Sequence, residues 1–300
     1  MSAAVLATPP ATPGAAAPGA VAVALAALGS LDPIGLAELD ARAARQVRVD
    51  RKYVLPVERL ADVAALLAPG VRVLEVGGER ASAYRSTYLD TPDLAAYHRA
   101  GRRRRRRFKV RTRTYLDTGA AFLEVKTRDG RGVTHKVRRP HDGPVPLSPD
   151  AAAFVAAALR DRHVTGVPVG RLRPVLTTEY RRLTLLLPGP TPAQDARATV
   201  DLGLRCHRET DRGAARPWAG ADPWAGAARP PTLDLGAYAV VETKGGPSPA
   251  DLDRGLWRLG HRPALISKYG VGMAALTPGL GAAKWRRTLA RLDEAVIPPS

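Results

Sequence analysis

Between Arg105 and Arg113 the odd-numbered positions read Arg105, Arg107, Lys109, Arg111 and Arg113, and Phe108, Val110 and Thr112 fall between them. In a strand, alternate side chains point to opposite faces, so one face becomes a row of cations and the other is apolar. The pattern demands a sheet with one charged wall. It recurs along the chain. Arg48, Asp50 and Lys52 share a parity, as do Glu124, Lys126 and Arg128, and Thr134, Lys136 and Arg138. Tyr180 goes with Arg182, Arg197 with Thr199 and Asp201, and Glu242 with Lys244. Leu123, Val125, Leu183, Leu185, Val200, Leu202 and Val241 occupy the opposite parity.

For any one strand, an ordinary antiparallel sheet with a solvated face explains such alternation. Repetition in strand after strand is harder to explain that way, because like charges opposed across neighbouring strands repel. They become tolerable if the strands curl into a barrel whose lumen takes a counter-charged ligand, with the apolar faces outward beneath helices. On pattern alone both readings stand. The balance of 46 Lys+Arg against 28 Asp+Glu, a net +18, favours a phosphate-rich partner: nucleic acid, nucleotide, polyphosphate or anionic membrane. Charge does not choose among them.

Other chemistry finds little support. The single cysteine, Cys206, excludes an internal disulfide framework and a multi-cysteine zinc site, and makes a reducing cytoplasm the simpler setting. The histidines show no paired zinc-helix spacing, no glycine-rich loop ends in Gly-Lys-Ser/Thr, and no serine sits in a nucleophile elbow. Gly270-Val-Gly272 is too short for a phosphate loop. A nucleic-acid module would add exposed aromatics for stacking, and aromatic residues are only 5% of the chain.

A chain of 300 residues with 45% hydrophobic content can bury one sizeable core, so one domain with a ragged N-terminus is expected. Residues 1–44, rich in Ala and Pro, read as a disordered leader with room for a short helix; their apolar run at 20–28 is too short to span a membrane. Strands are expected at 46–55, 71–76, 83–89, 105–115, 121–127, 133–139, 173–187, 196–206 and 235–244. Helices are expected at 56–68, from Thr91 to Gly101, from Ser148 to about Arg162, from Ser248 to Leu259, and around 267–276 and 282–296. Residues 207–231, with Trp218, Trp224 and many Pro and Gly, read as an irregular excursion.

Several motifs then fall in order: Arg48-Val-Asp-Arg-Lys52-Tyr53, Tyr88-Leu-Asp-Thr-Pro92, Phe108-Lys-Val-Arg111-Thr-Arg113, Glu124-Val-Lys126, Thr178-Glu-Tyr180-Arg-Arg182, Arg197-Ala-Thr-Val-Asp201, Glu242-Thr-Lys244 and Ser267-Lys268-Tyr269. This series resembles the VTC domain, the polyphosphate polymerase branch of the triphosphate tunnel metalloenzymes, related to the CYTH group. The likeness runs from about residue 45 to 276, leaving 277–300 as a C-terminal helix and tail.

The resemblance implies an α+β fold: an eight-stranded antiparallel β-barrel tunnel with helices packed outside. It implies transfer of the terminal phosphoryl group of a nucleoside triphosphate, with ATP as the expected donor, to a polyphosphate chain inside the tunnel, assisted by Mn2+ or Mg2+. Lys52, Arg111, Arg113, Lys126, Lys136, Arg182, Arg197 and Lys268 would be the catalytic phosphate clamps. Tyr180, Arg48, Lys109 and Lys244 would bind substrate, and Glu242 and Glu124 would hold the metal. Where simpler tunnel hydrolases carry Glu-x-Glu-x-Lys, this chain has Arg48, Asp50 and Lys52, so Asp50 is expected to pair with a lumen cation. A tunnel-fold triphosphatase and an inactive polyphosphate-binding protein share these features, and a nucleic-acid module is a remoter alternative. No specific nucleic-acid partner is expected, and any membrane-protein partner would lie outside this chain.

Overall fold

The computed structural model describes residues 18–42, 49–131, 133–141, 147–209, 232–292 and 296–297. The first half of the chain gives α1 (Pro18–Leu28), β1 (Asp32–Ile34), α2 (Leu36–Arg42), β2 (Val49–Pro56), α3 (Leu60–Ala65), β3 (Arg72–Leu74), β4 (Ser82–Asp90), α4 (Ala95–Gly101), β5 (Arg107–Tyr115), β6 (Ala121–Arg128) and β7 (Thr134–Pro140). The second half gives α5 (Pro149–Arg160), β8 (Arg173–Leu187), β9 (Ala196–Arg208), β10 (Thr232–Leu235), β11 (Tyr238–Gly245), α6 (Asp251–Arg258), α7 (Lys268–Leu276), α8 (Arg286–Leu289) and β12 (Val296–Ile297).

The strands form one α+β sheet, antiparallel except where β1 runs parallel to β3. Its main path is β2-β11-β9-β8-β4-β5-β6-β7, with β1, β3, β10 and β12 as additions. Two features depart from the expected closed eight-stranded barrel. The described residues hold twelve strands, and among them no ladder joins β7 to β2. The edges explain the open seam. β7 is mostly exposed, carries Lys136, Arg138 and Arg139 and ends at Pro140, the composition of a strand that resists further pairing. The opposite edge, β2, brings Arg51 and Lys52, so the two free edges carry the same sign of charge.

The outer face is apolar, as the parity pattern requires. Phe108, Val110, Leu123 and Val125 of β5 and β6 are fully buried with Ala96 and Tyr97 of α4 and Val155 of α5. Tyr53, Leu183, Leu185, Ala198, Val200 and Val241 form a second cluster with Leu60 and Val63 of α3 and Leu252 and Leu256 of α6. Each fully buried side chain of this size contributes about 1.5–3 kcal/mol, so the outer face fixes which parity faces the lumen.

Part of the expected disordered leader is ordered. α1 packs Ala20, Ala24 and Leu28, spaced by four, into the second cluster. Pro18 does not oppose this helix because it is the first helical residue, where a missing N–H costs no bond. Residues 1–17 and Arg48 lie outside the described residues, as do 210–231 of the irregular excursion.

Other boundaries shift for local reasons. α4 begins at Ala95 rather than at Thr91: Asp90 accepts from the N–H groups of Thr91 (2.8 Å), Ala96 (2.8 Å) and Tyr97 (3.0 Å), while Thr91 Oγ1 accepts from Ala95 N at 2.9 Å. α6 begins at Asp251 instead of near Ser248, with Asp253 accepting from Ala250 N at 2.9 Å. The strand expected at 235–244 is two strands, β10 and β11, which pair with successive stretches of β9 and are broken where Asp234 accepts from Gly236 N at 2.8 Å. Among the described residues of 282–297, Arg286–Leu289 is helical and Val296–Ile297 pairs with β10.

Candidate active site: a cation-lined cavity

The inner face of the main path encloses a cavity of about 800 Å³. Registry sets its lining. β5 sets Lys109 opposite Lys126 and Arg111 opposite Glu124; β6 sets Glu124 opposite Arg138 and Lys126 opposite Lys136. Across the sheet β8 places Arg182 opposite Asp201, and β11 places Glu242 between Thr199 and Lys52. Lys268, the first residue of α7, reaches in from the helical side.

Three carboxylates organise the cations. Arg111 donates from Nε to Glu124 Oε2 at 2.7 Å and from Nη1 to the Tyr88 hydroxyl at 3.1 Å, and Lys136 Nζ meets Glu124 Oε1 at 2.5 Å. Burial alone would raise the Glu124 pKa, but Arg111, Arg113 and Lys136 outweigh it and hold it at about 2. Arg182 grips Asp201 with two bonds of 2.5 and 2.8 Å, and Lys268 joins the same carboxylate. Burial opposes ionisation of Asp201 too, and Arg182 and Lys268 more than reverse it, so its carboxyl stays well below the usual range. Glu242 binds Lys52 on Oε1 and Lys244 on Oε2, the latter at 3.5 Å. Burial is again outweighed, here by Lys244, Lys52 and Arg182, and Glu242 remains strongly acidic.

Other cations lack a carboxylate of their own. Arg113 donates to the Tyr180 hydroxyl at 3.1 Å and to Ser86 Oγ at 3.4 Å; Lys109 donates to Ser267 Oγ at 2.7 Å. Lys126 makes no direct bond among the described residues and is open to the lumen. Burial pushes the Lys109 pKa well below its ordinary value, helped by Lys126, Arg111 and Lys52. Lys126 is lowered as well, by burial first, with Asp50 pulling the other way. Asp50 thus lies in the cavity within electrostatic reach of Lys126. Tyr180 is raised by burial and lowered by Arg182, Arg113 and Lys268, and the cations win. This is a surface short of negative charge.

The VTC domain model matches residues 47–277. The chain belongs to the VTC domain family. No curated protein matches it by sequence. Among solved structures it is similar to a putative adenylyl cyclase HpAC1 from Hippeastrum, described as having a dominant triphosphatase activity, at 13% identity over 78% of this chain and 99% of that one, TM-score 0.40. It is also similar to the PH1819 protein from Pyrococcus horikoshii OT3, at 10% identity over 71% and 86% of the two chains, TM-score 0.34. A putative adenylate cyclase from Vibrio parahaemolyticus is similar at 9% identity over 72% and 84%, TM-score 0.33.

Within this VTC domain, Lys52, Lys109, Arg111, Arg113, Lys126, Lys136, Tyr180, Arg182, Lys244 and Lys268 line one lumen together with Glu124 and Glu242. Arg197 also borders the cavity but is turned toward α2, donating to Asp40 at 2.9 Å and to the Leu39 carbonyl at 3.2 Å. The aromatic wall of β4 has no place among the site residues expected from the sequence, where Tyr88 opens a motif without a role and Tyr84 does not figure. Tyr84 stacks on Tyr180 at 5.3 Å, beneath the Arg113 and Arg182 guanidiniums, and Tyr88 lies under Arg111 at 5.7 Å. Its signal was the parity Ser82, Tyr84, Ser86, Tyr88, which reads as ordinary amphipathic strand. Parity alone puts Asp201 on the charged face, but its hold on both Arg182 and Lys268 needs the fold.

The donor set suits a hard divalent ion in one restricted way. Among the described residues no three His, Cys, Asp or Glu groups converge as a protein cage. Magnesium and manganese accept one or two carboxylates completed by substrate phosphate, and Glu242, on β11 between β2 and β9, offers such a carboxylate to the lumen. Glu124 stands on another wall, with β9, β8, β4 and β5 between it and Glu242 along the sheet.

Proposed function

We propose that this protein is a polyphosphate polymerase, transferring the terminal phosphoryl group of a nucleoside triphosphate, ATP by preference, to a polyphosphate chain in the tunnel. The observation that carries the reading is the row Arg113, Arg111, Lys109 along β5, in which only Arg111 is met by a carboxylate. At about 3.3 Å rise per residue the row spans about 13 Å, a track for successive phosphates. Membership of the VTC domain family supports the same reading.

Phosphoryl transfer asks the protein mainly to position and neutralise. Arg113, Arg182 and Lys268 surround the Tyr180 hydroxyl, and their charges would fall on the equatorial oxygens of the transferring group while the hydroxyl donates to one of them. An oxygen of the chain end forms the new P–O bond, and the bond to the β-phosphate breaks, its electron pair leaving with the nucleoside diphosphate. Lys109 and Lys126 would hold the acceptor chain in line. Glu242 is the residue that would hold Mg2+ or Mn2+, which when bound neutralises charge on the terminal phosphates.

The test is to incubate the pure protein with ATP and Mn2+ or Mg2+ and to separate long-chain polyphosphate from free phosphate. Accumulation of polyphosphate supports the proposal. Stoichiometric release of free phosphate without polymer would make it a triphosphatase, and binding of tripolyphosphate without ATP consumption would make it a polyphosphate-binding protein.

A further inference from the structure

The β5–β6 ladder changes character toward one end. From inside outward the directly opposed pairs are Arg111 with Glu124, Lys109 with Lys126, and Arg107 with Arg128. Acid disappears and like charges face each other, an arrangement that costs stability unless an anion lies between them. Beyond the last pair a surface cleft takes over, in which Arg103, Arg105, Arg107, Arg128, Arg131 and Lys284 converge.

None of these six makes an ion pair with a carboxylate among the described residues. Arg107 donates to the Arg104 carbonyl at 3.1 Å and Lys284 to the Ala100 carbonyl at 2.8 Å. The one acid in the cleft, Asp129, is spent on its own turn, accepting from Arg131 N and Val133 N at 2.9 Å and facing His135 at 3.2 Å. Arg103, two residues beyond α4, takes the left-handed φ of 53° that closes the helix, with Arg104 N donating to the Arg99 carbonyl at 2.9 Å, and this turn carries the arginines to the cleft. Lys284 is brought down to about 8 by burial and by Arg107, Arg103 and Arg128, which records how concentrated the charge is.

We infer that this cleft is an outer polyanion site that binds the part of a polyphosphate chain emerging from the tunnel. The inference rests on the polyphosphate reading of the tunnel, and its geometry is the parity row of β5: Arg107 lies two residues beyond Lys109 on the same face, about 7 Å further along the strand. A ligand long enough to pass Lys109 and Lys126 meets Arg107 and Arg128 next. A triphosphate held among Arg111, Arg113 and Arg182 does not reach them. The cleft therefore discriminates by chain length, through non-specific contacts whose strength falls with salt.

The experiment compares the full chain with the triple variant Arg105→Ala, Arg128→Ala, Arg131→Ala, all three exposed positions. Affinities for tripolyphosphate and for long-chain polyphosphate are measured by titration calorimetry at two salt concentrations, with thermal unfolding as a folding control. The expected result is at least a tenfold weakening for long-chain polyphosphate, a shallower salt dependence, and tripolyphosphate affinity within twofold of the parent. Unchanged long-chain affinity in the folded variant overturns the inference. So does a variant that loses binding to single-stranded RNA while keeping long-chain polyphosphate, which would make the cleft a nucleic-acid surface. Failure of the parent protein to bind tripolyphosphate, with long-chain binding still lost in the variant, supports the outer site and removes the tunnel reading instead.

Discussion

Glu242 holds Lys52 on one carboxylate oxygen and Lys244 on the other, so Glu242→Gln preserves shape and removes the charge that would hold a divalent ion. Metal-dependent turnover is expected to fall to background while polyphosphate binding stays equal or tightens, because a negative charge has left a basic lumen. Turnover assays beside calorimetric titration check both halves; parallel loss of the two would make Glu242 a structural clamp only. Arg111→Ala should weaken binding and reduce turnover by about 10²–10³-fold, the range for loss of one oxyanion donor. Asp201 deserves a different test. Its side chain is 1% exposed and neutralises both Arg182 and Lys268, so Asp201→Asn should cost about 3–5 kcal/mol in urea unfolding, and tripolyphosphate should restore part of it. A loss below about 1 kcal/mol would show that lumen water already solvates the pair. At this scale the cations were legible because parity is a one-dimensional property. The pairing of Asp201 was not, since Lys268 lies 67 residues away and only α7 brings it there.

The helix α7 shows how an element can look like one thing in sequence and serve another. Gly270 and Gly272 resemble a fragment of a phosphate loop, yet both are buried in packing: a Cβ on Gly270 would collide with the Trp285 ring, and one on Gly272 would lie 2.8 Å from Leu176 Cδ2. The glycines let α7 approach closely enough for Lys268 to enter the lumen while Tyr269 packs against Tyr88 at 5.2 Å. Gly270→Ala is therefore expected to destabilise the protein by about 1–3 kcal/mol through overpacking and to raise KM more than it lowers kcat. Thermal unfolding together with steady-state kinetics checks this; an unchanged melting temperature would mean that Trp285 yields freely. The start of α4 departs from its local signal for a related reason. Thr91-Pro92-Asp93 carries every local sign of a helix start, but Asp90 captures the N–H groups of Ala96 and Tyr97, and Leu94 takes a left-handed φ of 53° before the helix begins. Tertiary burial of Asp90 beside Tyr269 decides that boundary, and local propensity cannot report it.

For the molecule as a whole, alternation revealed a two-faced sheet but not how far it would close. Strand pairing depends on edges, and the like-charged edges β2 and β7 stay unpaired among the described residues. The docking of α1 is less legible than its helix, because an Ala-rich segment has little to bury until α3 and the sheet supply a surface for Ala20, Ala24 and Leu28. The same charge crowding makes the molecule responsive to pH. Burial brings Lys244 down to about 7 and Lys136 to about 8, with Glu242 and Glu124 respectively opposing the shift. In the unfolded chain both return to the ordinary lysine value of 10.5. Between about pH 7 and 10 the unfolded chain thus binds more protons, and these two groups make the ligand-free protein more stable as pH rises. A polyanion in the lumen favours the charged lysines and raises both pKa values, so binding must take up protons, and affinity must fall as pH climbs. Tripolyphosphate titrated at pH 8 in buffers of differing ionisation heat should show net proton uptake, and its affinity should drop roughly tenfold or more between pH 7 and pH 9. At saturating ligand the mass-action stabilisation, about 2.7 kcal/mol at a hundredfold excess over Kd, should shrink over the same interval. Binding with no proton uptake and a flat pH profile would place the anion away from Lys244 and Lys136, outside the lumen.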